Sequence, residues 1–201
     1  MASKFDICST SLVELGEETI SSFTANTAPS KICGQIYPEY IKYLLSIHPW
    51  KFTLKKVQLA RLTTSPINEW KYAYQLPSDL LILRAIYNSS STNIVPQTNY
   101  EIFQDEIFTN ETTVYIDYQY QPDESTFPAF FTQFVIMAVA ARISMAITDD
   151  AKIEESKQVK AFGLPSDNLN GGLFGVAKKL DSLQSPSPAI MADDLLAARF
   201  S

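Results

Sequence analysis

FFTQFVIMAVAARISMAI, Phe130–Ile147, is apolar almost all the way round a helical projection. A surface helix keeps one polar face, so a helix-length run without one belongs at the centre of a core. Ser125 or Thr126 is placed to cap it, and Pro128 suits its first turn. The longest unbroken apolar stretch, Phe127–Ala141, contains Pro128, Thr132 and Gln133 and closes at Arg142, short of the ~18 residues of a membrane span. The reading is a buried helix, with no membrane partner.

Working outward from this helix, Asp149 and Asp150 cap a second one that carries Ile153, Val159, Ala161 and Phe162 and stops at Gly163 and Pro165. A loop, LPSDNLNGG, leads to a shorter helix over Leu173–Leu183. Ser-Pro-Ser-Pro at 185–188 reads as an extended linker to a small amphipathic tail, AIMADDLLAARFS.

Upstream the hydrophobic period falls from helical spacing to two. Val114, Ile116, Tyr118 and Tyr120 alternate with Tyr115, Asp117 and Gln119, the clearest strand in the chain. Tyr100–Phe103 and Glu106–Phe108 flank Gln104-Asp105 as a hairpin, with a second turn at Asn110-Glu111. Leu80–Tyr87 is nearly continuously apolar and reads as a strand buried on most of both faces. Trp70, Tyr72 and Tyr74 share one strand face. Farther upstream, helical spacing returns over Ile32–His48, where Pro38 is a candidate kink and Pro49 the stop. Ser9, Thr10 and Ser11 offer caps for a helix in LVELGEETISSF, Leu12–Phe23.

The expected fold is α+β. Residues 1–50 and 122–184 form a helical bundle of about four helices, 51–121 an inserted small antiparallel β domain, and 185–201 a linker and extended C-terminal arm. Trp50, at the junction, and Trp70, on the aromatic strand face, are the candidate structural anchors.

The 201 residues suffice for one domain with a smaller insert. Charged residues are 19%, below the roughly 25% of an average soluble domain, while aromatics reach 12%. This composition fits either an interface-rich protein or a β-rich fold. A formal charge of −6 argues against nucleic-acid binding as the main role, because neutralising phosphates needs a basic surface. The start, MASKFDICST, carries no secretory pattern. Cys8 and Cys33 match no metal-ligand spacing and read as small buried hydrophobes in a reducing compartment.

No catalytic, cofactor or metal site is assigned. His48 is the single histidine, so a Cys–His nucleophile pair would have to use it with Cys8 or Cys33. A lone histidine before proline at a helix end is more often structural. The doublets Glu17-Glu18, Asp149-Asp150, Glu154-Glu155 and Asp193-Asp194 read as caps and solvated faces. Gly171-Gly172-Leu173-Phe174-Gly175 lacks both the preceding strand and the following Lys-Ser/Thr of a phosphate loop. Lys51, Lys55, Lys56 and Arg61 around Trp50 and Phe52 form a weak basic footprint.

The order of these features is similar to that of a known family. LLSIHPWKF (Leu44–Phe52), WKYAYQLPSDLLILRAIY (Trp70–Tyr87), YEIFQDEIFTN (Tyr100–Asn110), VYIDYQY (Val114–Tyr120) and STFPAFFTQFVIMAVAARISMAIT (Ser125–Thr148) occur in this sequence in that order. Together they resemble the tail tubular protein A family, the head-to-tail adaptors of short-tailed double-stranded DNA phages. The resemblance runs to about Lys160; Gly163–Gly172 looks like an insertion or a lengthened loop.

The resemblance implies a virion structural protein, assembled in the host cytoplasm and located in the tail at the head–tail interface. Its copies would form a homo-oligomeric ring of twelve between the portal protein and the tail nozzle protein, part of the channel through which double-stranded DNA passes. Whether tail fibres attach here stays open. Ile190, Met191, Leu195, Leu196, Arg199 and Phe200 are the candidate portal contacts, as anchors on an arm held off by the Ser-Pro spacer. The alternatives are another soluble interaction module, such as a DNA-packaging accessory protein, and a small cytosolic enzyme of unknown type.

Overall fold

Ser3 and Asp6 begin the first helix in the computed structural model, which describes residues 2–64, 66, 69–91 and 95–184. The Ser3 hydroxyl accepts the Asp6 N–H at 3.2 Å, and the Asp6 carboxylate accepts the Ser3 N–H at 3.0 Å, a reciprocal capping box. Helix α1 therefore runs Lys4–Val13 and not from Leu12 to Phe23. Ser9, Thr10 and Ser11 lie inside it and do not cap it, and Ser9 and Ser11 are buried. Gly16, at φ +82°, takes the left-handed conformation just beyond it.

Helix α2, Ala28–Ser46, starts from a Thr27 cap and retains Pro38 in its interior. The central helix, α3, spans Ala129–Thr148. Pro128 occupies its cap position, while Ser125 and Thr126 belong to a preceding 3-10 turn, Glu124–Thr126. Asp149, left-handed at φ 50°, closes α3, and Asp150 caps α4, Ala151–Phe162, by accepting the Lys152 N–H at 2.8 Å. Helix α5 is Gly172–Ser182. Among the described residues five α-helices pack together, in keeping with the expected helical bundle.

The other four helices all pack on α3. Its 20 residues are long and apolar enough to cross a membrane by length and composition, contrary to the sequence estimate, since the helix continues past Arg142. In this fold the apolar character serves the core: Phe131, Phe134, Val135, Ala138, Val139 and Ile143 have essentially no exposed surface.

The insert is antiparallel throughout but forms two sheets. Its strands are β1 Leu54–Gln58, β2 Tyr72–Gln75, β3 Leu80–Tyr87, β4 Tyr100–Phe103, β5 Glu106–Thr109 and β6 Tyr115–Tyr120. One sheet has the order β1-β6-β3, the other β2-β5-β4. Ile116 sits between Val57 and Ile86 in the first, and Ile107 between Tyr74 and Ile102 in the second. Tyr74 and Ile107 of one sheet meet Ile86, Ile116 and Tyr118 of the other, with Leu59 and Val114, in a second core. Strand β3 corrects the expectation of burial on both faces: it is a sheet edge with two register shifts, and Ile86 is its one fully buried residue.

Gln119 joins the two parts. Alternation sends Ile116 and Tyr118 into the β core in turn and leaves Gln119 on the opposite face, against the helices. Its amide nitrogen, fully buried, lies 3.1 Å from Leu45 O, 2.8 Å from His48 O and 2.9 Å from Thr53 Oγ1, and its oxygen accepts from Arg84. The Thr53 hydroxyl in turn donates to Trp50 O at 2.7 Å. Strand β6 is thereby pinned to the end of α2.

Candidate functional site

Trp50 is fully buried in the helical core. Its indole N–H donates to Leu44 O at 3.0 Å, and its ring meets Phe131 at 4.8 Å and Phe174 at 5.9 Å between centroids. Trp70 is placed differently. It precedes β2, is half-buried outside both cores, and donates to the Glu101 carboxylate at 2.9 Å.

His48 packs edge-on against Trp50 at 4.6 Å, and its Nε2 lies 3.7 Å from the Asp181 carboxylate. Burial, followed by the nearby charges of Lys178, Arg84 and Lys51, holds the imidazole below its usual range, so it is neutral at pH 7. Asp181 is 1% exposed; burial raises its pKa, while the Lys51 N–H, donated at 3.1 Å, opposes that rise. Cys8 and Cys33 do not join this group. Both are buried and hydrogen-bond to each other, which together with burial holds the Cys8 thiol above its usual range. The arrangement therefore assembles no thiolate–imidazole pair.

The basic footprint is occupied within the β insert. Lys55 meets Asp79 at 2.8 Å and lies over the Tyr120 ring at 3.5 Å. Lys56 sits 3.6 Å from Asp117 and over Tyr87, and Arg61 over Tyr72. The two lysine contacts hold edge strand β1 to its sheet and partly neutralise the cations. No cluster of three or more potential metal ligands occurs among the described residues. Asp149 and Asp150 are helix-terminal residues, as above. The glycine-rich segment has a packing role: a Cβ on Gly175 would come 2.1 Å from Asn170 O, and one on Gly172 2.6 Å from Gly163 N. These glycines let the loop after α4 lie flat against the start of α5.

Two grooves and one strand edge expose aromatic and apolar side chains. A groove of about 510 Å³ opens between α2, α3 and α4, lined by Tyr40, Tyr43, Arg142, Glu154, Gln158 and Leu169. Tyr40 and Tyr43 stack at 5.9 Å, and the Arg142 guanidinium lies 6.0 Å from the Tyr40 ring. Burial and then Tyr43 push the Tyr40 hydroxyl up to about 12, so it remains a donor at every physiological pH. A second groove of about 440 Å³ adjoins it, sharing Gln158, Phe162 and Leu169 and adding Val159 and Leu164. Tyr43 is 54% exposed on this face. A separate surface lies on the β insert, where Ile102 and Phe103 project, about half-exposed, from edge strand β4.

The candidate portal contacts Ile190, Met191, Leu195, Leu196, Arg199 and Phe200 lie outside the described residues. Sequence reading missed the Tyr40–Arg142 groove, because its residues come from separate helices whose approach is set by packing on α3. No protein-family model matches the chain, and no curated protein matches it significantly.

Proposed function

We propose that this chain is a virion assembly protein, the adaptor subunit that forms a ring of twelve between the portal and the tail nozzle of a short-tailed phage. The observation that carries the reading is the pair of exposed surfaces of unlike chemistry. One is the tyrosine–arginine groove on the helical body, and the other is the apolar β4 edge on the insert. A closed ring built head to tail needs two different patches on every subunit, whereas a two-fold dimer needs one self-complementary patch. Tyrosine and arginine favour such contacts by supplying large, partly polar area at little entropic cost. An unpaired strand edge with apolar side chains is likewise a surface that association covers.

The net charge of −6 suits a channel protein, since an acidic wall does not retain passing DNA. The order of sequence features shared with the adaptor family supplies the named partners. The test is to place one charge on each patch, Tyr43→Asp and Phe103→Asp, and to follow ring formation on portal rings by electron microscopy. Each variant should stay folded and fail to close a ring; if both close rings as the parent does, the assigned surfaces are wrong.

A further inference from the structure

Cys8 of α1 and Cys33 of α2 are the chain's two cysteines, and helix packing brings them together although 25 positions separate them in sequence. Helical spacing shows how. Lys4 and Cys8 stand one turn apart on α1, as do Cys33 and Tyr37 on α2, and residues four apart share a helix face. Lys4, Cys33 and Tyr37 line one crevice, so these two faces oppose each other. Within the core behind it the two thiols hydrogen-bond to each other.

The crevice, about 120 Å³, is completed by Phe23, Gly34 and Pro38. It owes its opening to two residues that a helix interior ordinarily avoids. Gly34 places no side chain beside Cys33, and Pro38 has no N–H to give to the Gly34 carbonyl four residues earlier, so this turn of α2 lacks a hydrogen bond. Cys33 lines the crevice and Cys8 does not. The space accepts molecules the size of water, and hydrogen peroxide is scarcely larger.

We propose that Cys8 and Cys33 form an oxidation site, at which a hydroperoxide converts the facing thiols into a disulfide that ties α1 to α2. Cys33 reacts first, because it lines the crevice and the hydrogen bond from Cys8 holds its thiol below the usual range, while Lys4 adds positive charge beside it. Its sulfur attacks one peroxide oxygen, the O–O bond breaks, and the departing hydroxide takes up the thiol proton as water, leaving a sulfenic acid. The Cys8 sulfur then attacks the Cys33 sulfur. The S–O bond breaks, and its hydroxide leaves with the Cys8 proton as a second water. Peroxide is thus reduced to two waters while two thiols are oxidised to one disulfide. This site does not depend on the adaptor reading.

The test treats the folded full chain with hydrogen peroxide, then unfolds it, alkylates the remaining thiols and determines mass and linkage by mass spectrometry. Both thiols should disappear together, with the chain lighter by two hydrogens and one Cys8–Cys33 cross-linked peptide. The melting temperature should rise by about 5–10 °C and return on reduction. Cys8→Ser should halt Cys33 at the sulfenic acid, which dimedone captures. Gly34→Ala should slow loss of the Cys33 thiol several-fold, since the added methyl enters the crevice and meets Phe23 at an ordinary 3.8 Å. The parent chain carries the decision if a variant folds poorly. Two intact thiols in the treated folded chain overturn the proposal. So does a disulfide that joins copies, or Cys33 oxidised further while Cys8 stays a thiol.

Discussion

Replacing Trp50 by alanine removes the largest fully buried side chain at the meeting point of α2, α3 and α5. Burying an aromatic side chain of this kind and then deleting it costs about 3–5 kcal/mol, the transfer term plus the cavity left behind. The upper half of that range applies here for two reasons. The ring is enclosed by other rigid rings, Phe52, Phe131, Phe134, Phe174 and His48, which collapse poorly into a void. In addition Leu44 O loses its indole donor, worth about 1 kcal/mol. Against a total stability of roughly 5–15 kcal/mol, the variant should remain folded at 25 °C but with a much lower urea midpoint. Circular dichroism at increasing urea measures this without relying on tryptophan emission. Trp70→Ala is the control: a half-buried side chain outside both cores should cost about 1 kcal/mol or less. A loss below about 1.5 kcal/mol for Trp50→Ala, or a loss for Trp70→Ala of equal size, would refute the reasoning.

Gln119→Leu should cost about 2–4 kcal/mol although it exchanges a polar for an apolar side chain, because the donor to Leu45 O, His48 O and Thr53 Oγ1 disappears and Arg84 loses its acceptor. Urea titration followed at helical and β wavelengths should show the two parts losing their common transition. A pH series tests His48: its folded pKa lies below its usual 6.5, so the unfolded chain binds more protons between the two values. The stability His48 contributes is therefore present above pH 6.5 and lost as pH falls below it, and His48→Gln should flatten that slope. Asp181 acts with the opposite sign, its raised pKa favouring the folded state as pH falls toward and below that value. Tyr43→Asp and Phe103→Asp should leave melting temperature nearly unchanged while preventing ring closure, since both side chains are about half-exposed.

Much of the architecture follows from local pattern. The unbroken apolar run Phe130–Ile147 marks α3, the alternation Val114–Tyr120 marks β6, and Gln104-Asp105 marks the β4–β5 turn, where Gln104 takes φ 54°. These signals survive because each element's burial is encoded within its own residues. Helix α1 shows how a competing local signal was passed over: three consecutive hydroxyl residues at 9–11 resemble a cap, but Ser3 with Asp6 three residues later forms the actual capping box. The division into two sheets was not legible, since which strand neighbours which is a non-local matter. The alternation sets Gln119 opposite Ile116 and Tyr118 but does not record that this opposite face is covered by the helical body. The tyrosine–arginine groove depends on how helices cross, which no single segment records.

The central claim is assembly onto a portal, and it is tested most directly by mixing the purified full chain with portal rings encoded in the same genome. Light scattering should first find the chain alone monomeric at low micromolar concentration and physiological salt, because like-charged copies repel in the absence of a template. Co-sedimentation and electron microscopy of the mixture should then show twelve copies closed into a ring on the portal. A chain that stays folded and leaves every portal ring bare at any mixing ratio would contradict the account.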